Sequence, residues 1–328
     1  MNLSNIALTN RIIEIRSGSH LYGTNTETSD EDFVGIFMPS EELLFGLQNV
    51  EECSLNIISK DDAGKNTKDA VDRKLYEYKQ FCKLAMKNNP NILELLFVDK
   101  KNIVFTNDFG KSLLDMKYKF PYLGLFESFI GYAHAQKHKM ILKADKLDDL
   151  EIAYDILSNE DDKIVMAQVL EKVGKPFFKK GNNLHIHIGD LCFEPGVYVK
   201  KARQLIKKRL DKFSNRKELI KDFGFDCKFG SHLIRLLREG IELLQTGNIQ
   251  FPLTYANEIL SIRKGKWSLE EVISYADELE KICEEEKKNS KLPKKPNVKE
   301  IESFVIEQIK LSLKEKEFIK YSPGFTII

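Results

Sequence analysis

The chain has 328 residues, 42% of them hydrophobic, and can therefore bury a substantial core in one large domain or two smaller ones. Its 51 lysines and arginines nearly balance its 50 aspartates and glutamates, which excludes a whole-chain charge that would draw it to nucleic acid or to an anionic membrane. The five cysteines form no C-x-x-C pair and no segment holds the roughly 18 apolar residues of a membrane helix, so we expect a protein of the reduced cytoplasm with no membrane partner.

The first third of the chain combines strand and helix patterns. Arg11 to Ile15 is rich in isoleucine and predicts a strand that leads into the turn Gly18-Ser19. Phe33 to Met38 predicts a second strand and Ala70 to Leu75 a third. Apolar residues at helical spacing then predict a helix over Tyr76 to Met86. These elements together indicate a small sheet with helices.

From Phe109 onward the pattern is mainly helical, except that Leu184 to Ile188 (L-H-I-H-I) alternates as a strand does. The clearest helices are predicted over four segments: Val197 to Phe213, Gly230 to Gln245, Ser268 to Lys287 and Val298 to Lys314. Lys291 to Pro296 predicts a linker before the last helix. We therefore expect an α+β protein, with a mixed-sheet domain over residues 1–110 and a mainly helical domain over residues 111–328 that holds a variable stretch near residues 141–190.

Candidate metal ligands lie at the start of the second predicted strand. Asp30 and Asp32 are two residues apart, so their side chains leave the same face and can share a metal ion. A third carboxylate should come from a neighbouring strand, where Asp72 is the best candidate and Asp69 the second. Two metal ions held by three carboxylates can neutralise a triphosphate and activate an attacking hydroxyl. This set predicts metal-dependent phosphoryl or nucleotidyl transfer, with Mg²⁺ as the expected ion and Mn²⁺ as its alternative.

The turn at Gly18-Ser19 is a candidate phosphate site. Gly18 permits close backbone approach, and Ser19 can open a helix whose N–H groups face a triphosphate. The letters S-D-E-D alone are more typical of a solvated turn. The joint pattern favours a site, because a strand, Gly-Ser, ten intervening residues, D-x-D and another apolar strand follow in the order that the chemistry requires.

The segment R-S-G-S-H-L-Y-G-T-N-T-E-T-S-D-E-D-F-V-G-I resembles the predicted nucleotidyltransferases of the DNA polymerase β superfamily, specifically the family sometimes found beside RNA ligases. Tyr76 to Phe97 resembles the segment after that family's third carboxylate, which supports Asp72. Further similar blocks are Gly131-Tyr132 with Gln136, Phe225 to Gly247 and Ile262 to Ser268. Cys227 and Phe229 depart from it, at places where threonine and histidine are expected. The resemblance implies a polymerase β-like domain that moves a nucleoside monophosphate from a nucleoside triphosphate to an acceptor hydroxyl.

A row of charges follows one side of the apolar helix predicted after Phe229, at spacings of three and four: Lys228, His232, Arg235 and Glu239. A solvated face is the alternative, but the resemblance favours a polar cleft. We therefore expect Lys228 and Arg235 to contact the triphosphate or the acceptor phosphate, and His232 to orient one of them. Gln136 is a candidate for binding base or sugar, whereas Tyr132, four residues before it, is more typical of packing between helices.

Lys200 to Lys217 holds nine lysines and arginines against one acid, Asp211. A narrow apolar side is predicted from four residues: Leu205, Ile206, Leu210 and Phe213. The basic face would suit the phosphates of RNA, although a solvated lysine-rich helix is the simpler alternative. An RNA 3′ end is thus the expected acceptor, followed by a protein hydroxyl or a small molecule. The alternative from another class is a nucleotide- or RNA-binding module without catalysis, and the presence of all three carboxylates argues against it.

Two histidine pairs have spacings that suit zinc. His134 and His138 are four apart on a predicted helix, and His185 and His187 are two apart on a predicted strand. A zinc site would require the two elements to converge, since no cysteine lies close in sequence to complete the ligands of the helical pair.

Overall fold

The computed structural model describes residues 3–27, 29–57, 70–173, 175–179, 183–211 and 223–321. The chain divides into two compact units, of which the first comprises Met1–Ala133, Ile234–Leu260 and Tyr275–Ile328. The second comprises His134–Leu233 and Ser261–Ser274. The domain boundary near residue 110 stays a prediction. Asp69 and the end of the basic segment, residues 212–217, lie outside the described residues.

A five-stranded mixed sheet forms part of the first unit. Its strands are β1 (Arg11–Arg16), β2 (Glu31–Phe37), β3 (Glu52–Ser54), β4 (Val71–Glu77) and β5 (Ile103–Thr106), in the order β3-β4-β2-β1-β5. β2 and β4 run parallel, whereas the other neighbouring pairs are antiparallel. Gly35 lets β2 lie between its neighbours, because a Cβ there would meet Leu75 Cδ2 at 2.3 Å and the carbonyl oxygen of Ile13 at 2.9 Å.

Helices account for most of the rest of the described chain. In chain order they are α1 (Leu3–Thr9), α2 (Gly18–Tyr22), α3 (Glu41–Phe45), α4 (Tyr78–Met86), α5 (Pro90–Leu93), α6 (Asp108–Asp115), α7 (Leu125–Ser158), α8 (Leu170–Val173), α9 (Val199–Asp211), α10 (Cys227–Thr246), α11 (Ala256–Arg263), α12 (Leu269–Asn289) and α13 (Val298–Tyr321). Short 3₁₀ helices cover Glu94–Phe97, Lys100–Asn102, Lys117–Lys119 and Met166–Gln168. None of the helices in the described part of the chain has both the length and the apolar character needed to cross a membrane.

The second unit has its own three-stranded antiparallel sheet. β6 (Lys175–Lys179), β7 (Asn183–Ile188) and β8 (Leu191–Phe193) are neighbours in that order. Apolar side chains from this sheet and from α7 and α9 form a buried core that includes Leu150, Leu157, Ile186, Ile188, Phe193, Ala202 and Ile206. The strand predicted over Leu184 to Ile188 is therefore confirmed within β7.

The predicted elements are confirmed with small shifts at their ends. The third strand extends to Glu77 and α4 begins at Tyr78, two residues later than predicted. The cause is a cap, because the Glu77 carboxylate accepts a hydrogen bond from Gln80 N at 2.9 Å. The four clearest predicted helices correspond to α9, α10, α12 and α13. A mixed sheet in the first third followed by a mainly helical chain confirms the α+β prediction.

Candidate metal and nucleotide site

The carboxylates of Asp30, Asp32 and Asp72 come together at the amino ends of the parallel strands β2 and β4. Asp32 pairs with Asp72 in the register of the two strands, and Asp30 immediately precedes β2. One carboxylate oxygen from each residue lies within 4.8 Å of the other two. Asp30 and Asp32 are half-buried and Asp72 is exposed. We call this set the acidic triad, and its assembly follows from the alternation of side chains along a strand and the pairing of β2 with β4.

The acidic triad fits a hard divalent cation. Carboxylate oxygens are ligands that Mg²⁺ prefers, and ligands on opposite sides of one ion are roughly 4.2 Å apart. Because the three carboxylate oxygens already lie within 4.8 Å of one another, the side chains would have to move only slightly to bind one ion. Mn²⁺ is bound by the same oxygen ligands. The three residues predicted as metal ligands are thus brought together in a suitable arrangement, while the binding itself stays a prediction.

The histidine pairs do not form a comparable set. Among the described residues, no second group of three or more histidine, cysteine, aspartate or glutamate side chains has this spacing. His185 Nδ1 lies 3.6 Å from Cys192 Sγ across β7 and β8, and His187 is exposed on the same strand. His134 and His138 are exposed on α7. The convergence that a zinc site would require is therefore absent from the described chain.

Gly18 lies directly against the acidic triad. Its φ is +62°, in the left-handed region that favours glycine, and a Cβ there would lie 2.3 Å from Asp32 Oδ2. The backbone adds a further tie, since Ser17 N donates a hydrogen bond to the carbonyl oxygen of Asp32 at 2.8 Å. Ser19 follows on α2, which ends at Gly23 in the left-handed conformation. The predicted phosphate turn and the predicted metal ligands are thus neighbours.

A buried ionic network lies around Arg235 on α10. Arg235 Nη1 donates to Glu94 Oε2 at 2.7 Å and to the Glu239 carboxylate oxygens at 2.8 and 2.9 Å. Tyr22, the last residue of α2, donates from its hydroxyl to Glu94 Oε1 at 2.8 Å. The Arg235 guanidinium carbon also lies 4.3 Å from the centre of the Tyr22 ring. The network therefore ties the helix that begins at Gly18 to α10.

Burial controls the protonation of this network. Desolvation raises the pKa of Glu239 to about 8, against the opposing effect of Arg235, and it also raises the pKa of Glu94. Burial disfavours the charge on Arg235, but Glu239 and the other acidic groups raise its pKa well above the usual value. One guanidinium compensates one carboxylate, so the second carboxylate favours its protonated form.

The network gives Arg235 a different setting from the one expected. Its side chain is 4% exposed and already holds two carboxylates, so this placement does not favour the predicted contact with phosphate. The sequence showed that charges interrupt an apolar helix, and a buried charge needs a partner. Glu239 was visible one helical turn away, but Glu94 and Tyr22 were missed because they are remote in sequence.

The other predicted nucleotide ligands, Gln136, Lys228 and His232, belong to the second unit. Lys228 is exposed, while Gln136 and His232 are half-buried. Their binding roles stay predictions. The packing interpretation of Tyr132 is supported, because its hydroxyl lies 2.7 Å from Asn89 Nδ2, which donates to it.

The basic helix α9 buries a different stripe from the predicted one. Val199, Ala202 and Ile206 are fully buried at spacings of three and four, whereas Leu205 is 42% exposed. Placing Leu205 on the apolar side was therefore wrong, because it lies one position away from the stripe that faces the core of the second unit.

Residues 7–158 match the RNA repair pathway DNA polymerase beta family, which confirms the resemblance predicted from the sequence. The matched span contains the acidic triad and the Gly18-Ser19 turn. The family points to a nucleotidyltransferase-type role in RNA repair.

The chain is also similar to a phage protein and to a solved structure. An uncharacterized 38.9 kDa protein in the nrdC-mobD intergenic region of Enterobacteria phage T4 is 26% identical over 309 residues, covering 85% of this chain and 91% of the phage protein. The crystal structure of a nucleotidyltransferase-like protein from Exiguobacterium sibiricum 255-15 covers 88% of this chain and 72% of its own, with 9% sequence identity and a TM-score of 0.25. The similarity to the phage protein thus extends beyond the span that matches the family.

Proposed function

From the match of residues 7–158 to the RNA repair pathway DNA polymerase beta family, we propose that this protein transfers a nucleoside monophosphate from a nucleoside triphosphate, such as ATP, to an acceptor hydroxyl and releases pyrophosphate. The observation that carries the proposal is the acidic triad, whose carboxylate oxygens lie within 4.8 Å of one another. Transfer of this kind needs carboxylates beside the triphosphate and the attacking oxygen. A solvated acidic turn would not require a third carboxylate from a neighbouring strand or a glycine packed against the second.

Each carboxylate has a role in this proposal. Asp30 and Asp32 would hold two Mg²⁺ ions, and Asp72 would contribute a ligand to one of them. Ions held there would supply charge neutralisation for the triphosphate and would make the attacking hydroxyl more acidic, and Mn²⁺ could take the same ligands. The acceptor oxygen forms a bond to the α-phosphorus while the bond from that phosphorus to pyrophosphate breaks. Asp72, the exposed carboxylate, receives the hydroxyl proton and passes it to water.

The Gly18-Ser19 turn is proposed to hold the β and γ phosphates. This role is supported by the closeness of the turn to the metal ligands, since a Cβ on Gly18 would lie 2.3 Å from Asp32 Oδ2. Because this residue has no side chain, the turn packs directly against the Asp32 carboxylate, and phosphates bound by the turn would lie beside the metal ligands. The Gly18-Ser19 turn would thus bind the triphosphate while Asp30 and Asp32 bind its metal ions.

Arg235 is proposed to act through α2, not on the ligand. It holds Tyr22 and Glu94, and Tyr22 lies four residues after Gly18 on α2. Arg235 is thus a positioning residue for the phosphate turn. Lys228 is still proposed to bind phosphate, His232 to orient a phosphate, and Gln136 to bind the base or the sugar. Their partial or full exposure is compatible with such contacts.

The acceptor is proposed to be the 3′ hydroxyl of RNA. The RNA repair description of the matched family supports this choice, as does the basic outer face of α9. We place the protein in the cytoplasm, because all five cysteines are unpaired and four of them are buried, an arrangement that a reducing compartment preserves.

The test uses the full chain with each α-labelled nucleoside triphosphate in turn, Mg²⁺, and separate pools of RNA, protein and small metabolites. The wild type should label RNA, and the Asp30→Asn, Asp32→Asn double variant should not. Glu31→Gln is the matched control, because Glu31 lies between the two aspartates but pairs with Arg16 at 3.2 Å. It should label RNA like the wild type.

The pools decide between the acceptors. Label on protein or on a metabolite, lost in the double variant, would retain the transfer reaction and replace RNA as the acceptor. Binding of triphosphate without label in any pool would overturn the proposed reaction in favour of a non-catalytic nucleotide-binding module.

A further inference from the structure

The second unit carries an open groove of about 610 Å³ at the start of α9. It is lined by three lysines, an aromatic ring and two shorter polar side chains: Lys163, Lys200, Lys201, Tyr198, Gln204 and Asp162. These residues follow residue 158, where the match to the family ends. The family match therefore does not account for the groove.

The charge of the groove is positive. Asp162 is its single acid, and its carboxylate forms an ion pair with Arg203, which also donates to the carbonyl oxygen of Leu157 at 3.1 Å. The negative charge is thus compensated from within the fold. Lys163, Lys200 and Lys201 are exposed at the surface of the groove. Their ammonium groups favour an anionic ligand.

Tyr198 provides an exposed aromatic ring among these lysines. It is 58% exposed, although a large aromatic side chain gains free energy by burial. Its backbone is held in place, since Tyr198 bridges with Val165 and Val199 N donates to the carbonyl oxygen of Ile164 at 2.9 Å. An exposed ring on a fixed backbone beside cationic side chains is the arrangement on which single-stranded nucleic acids stack their bases.

The outer face of α9 extends the basic surface beyond the groove. Lys207 and Lys208 are exposed, while Ala202 and Ile206 face the core. From Lys200 to Lys208 the helix rises by about 12 Å. Cations repeated over this length suit a chain of phosphates better than one isolated phosphate group.

We propose that this groove binds single-stranded RNA, with Tyr198 stacked on a base and Lys200 and Lys201 in contact with phosphates. The choice of RNA rests on the proposed function, in which RNA supplies the acceptor hydroxyl. The groove residues are not among those proposed for the reaction, so the groove would govern affinity for RNA more than the chemistry itself.

The test measures binding of a fluorescent single-stranded RNA oligonucleotide to the full chain by anisotropy, with Mg²⁺ but without triphosphate, over a range of salt. Lys200→Gln, Lys201→Gln should weaken binding roughly tenfold and lower the slope of log affinity against log salt by about 1.4. Tyr198→Ala should also weaken binding roughly tenfold but leave that slope unchanged, and Tyr198→Phe should bind like the wild type, because it keeps the stacking ring.

Lys294→Gln, Lys295→Gln is the matched control, because it removes the same charge from an exposed linker. Wild-type affinity in all groove variants would overturn the proposal, as would an equal loss in the linker control. Binding to anionic vesicles that depends on Lys200 and Lys201, with no binding to RNA, would overturn it in favour of a membrane surface.

Failure of the groove and failure of the reaction can be told apart. The Asp30→Asn, Asp32→Asn variant should bind the oligonucleotide through the groove even though it transfers nothing. If the groove variants bind RNA normally while the wild type labels it, the groove proposal is wrong and the reaction stands. If the wild type labels no acceptor but its RNA affinity depends on Tyr198 and Lys200, the reaction is wrong and the groove stands.

Discussion

Carboxylates occupy two contrasting settings in the first compact unit. In the acidic triad, three like charges meet at the ends of β2 and β4, half-buried or exposed. Around Arg235, Glu94 and Glu239 are almost completely buried and share its guanidinium, and Glu94 also accepts a hydrogen bond from the Tyr22 hydroxyl. Like charges within about 5 Å repel one another by about 1 kcal/mol per pair in water, and by more where the local dielectric falls. Three carboxylates at this spacing are therefore suited to binding a metal cation, whereas the network holds one guanidinium between two carboxylates.

This contrast separates the binding role proposed for the acidic triad from the positioning role proposed for the Arg235 network. A substitution in the triad should remove ligand binding and leave the fold intact, because it relieves repulsion. A substitution in the network should weaken the fold, because it leaves a buried charge without its partner. The largest effect is therefore expected on the transfer rate for a triad substitution and on the free energy of unfolding for a network substitution.

Asp32→Asn should lower the rate of nucleotide transfer by about 10³- to 10⁴-fold, because the neutral amide is a poor metal ligand and several kcal/mol of charge stabilisation are lost. Its free energy of unfolding in urea should stay within about 0.5 kcal/mol of the wild type. Steady-state transfer kinetics and urea denaturation on the same preparation check both. A variant that keeps its rate would remove Asp32 from the site.

Arg235→Ala should lower the free energy of unfolding by about 3–5 kcal/mol, since it leaves two buried carboxylates without their cation. Arg238→Ala on the same helix is the control. Arg238 is 3.9 Å from Glu258 and both side chains are partly exposed, so its loss should cost only about 1 kcal/mol. Urea denaturation distinguishes the two, and equal losses would contradict the account of a buried network.

Gly18→Ala should lower the transfer rate by about 10²-fold, because the new Cβ displaces the Asp32 carboxylate or the turn. Gly224→Ala isolates this effect. Gly224 has a φ of +74°, close to the +62° of Gly18, but its Cβ would meet nothing within 4 Å. Both variants should lose about 1 kcal/mol of stability through backbone strain. A comparable loss of rate in both would show that collision with Asp32 is not the cause.

The stability of the wild type should fall as the pH rises from about 5 to about 8, by about 3–4 kcal/mol from Glu239. The sign follows from the pKa of Glu239, which burial raises from its usual 4.5 to about 8, so the unfolded chain loses its proton first. Glu239→Gln should show a shallower dependence, because the amide cannot ionise. Urea denaturation at several pH values checks this, and parallel curves for the two proteins would contradict it.

The sequence predicted the acidic triad better than the network, because the partners in the network are much farther apart along the chain. Asp30 and Asp32 share a face by their spacing alone, and Asp72 lies near the start of the next predicted strand, so the local pattern was sufficient. Arg235 bonds to Glu94, 141 residues away, and no local pattern indicates that pairing. The edge strands β3 and β5 were missed for a related reason, since three and four residues give too little alternation to detect.

The basic helix shows the same limit within one element. Its amphipathic character was evident from composition, but a difference of one position decides whether Leu205 or Ile206 faces the core. That choice depends on the partners in the second unit, which include Ile186 and Phe193 from its sheet. The sequence could therefore indicate a basic helix without indicating the groove at its start.

Binding of Mn²⁺, followed by its electron paramagnetic resonance signal, tests most directly whether the acidic triad is a metal site, because it requires no acceptor. The wild type and Glu31→Gln should bind the ion in the presence of a non-hydrolysable triphosphate, and Asp32→Asn should bind it at least tenfold more weakly. Equal binding by all three proteins would contradict the account.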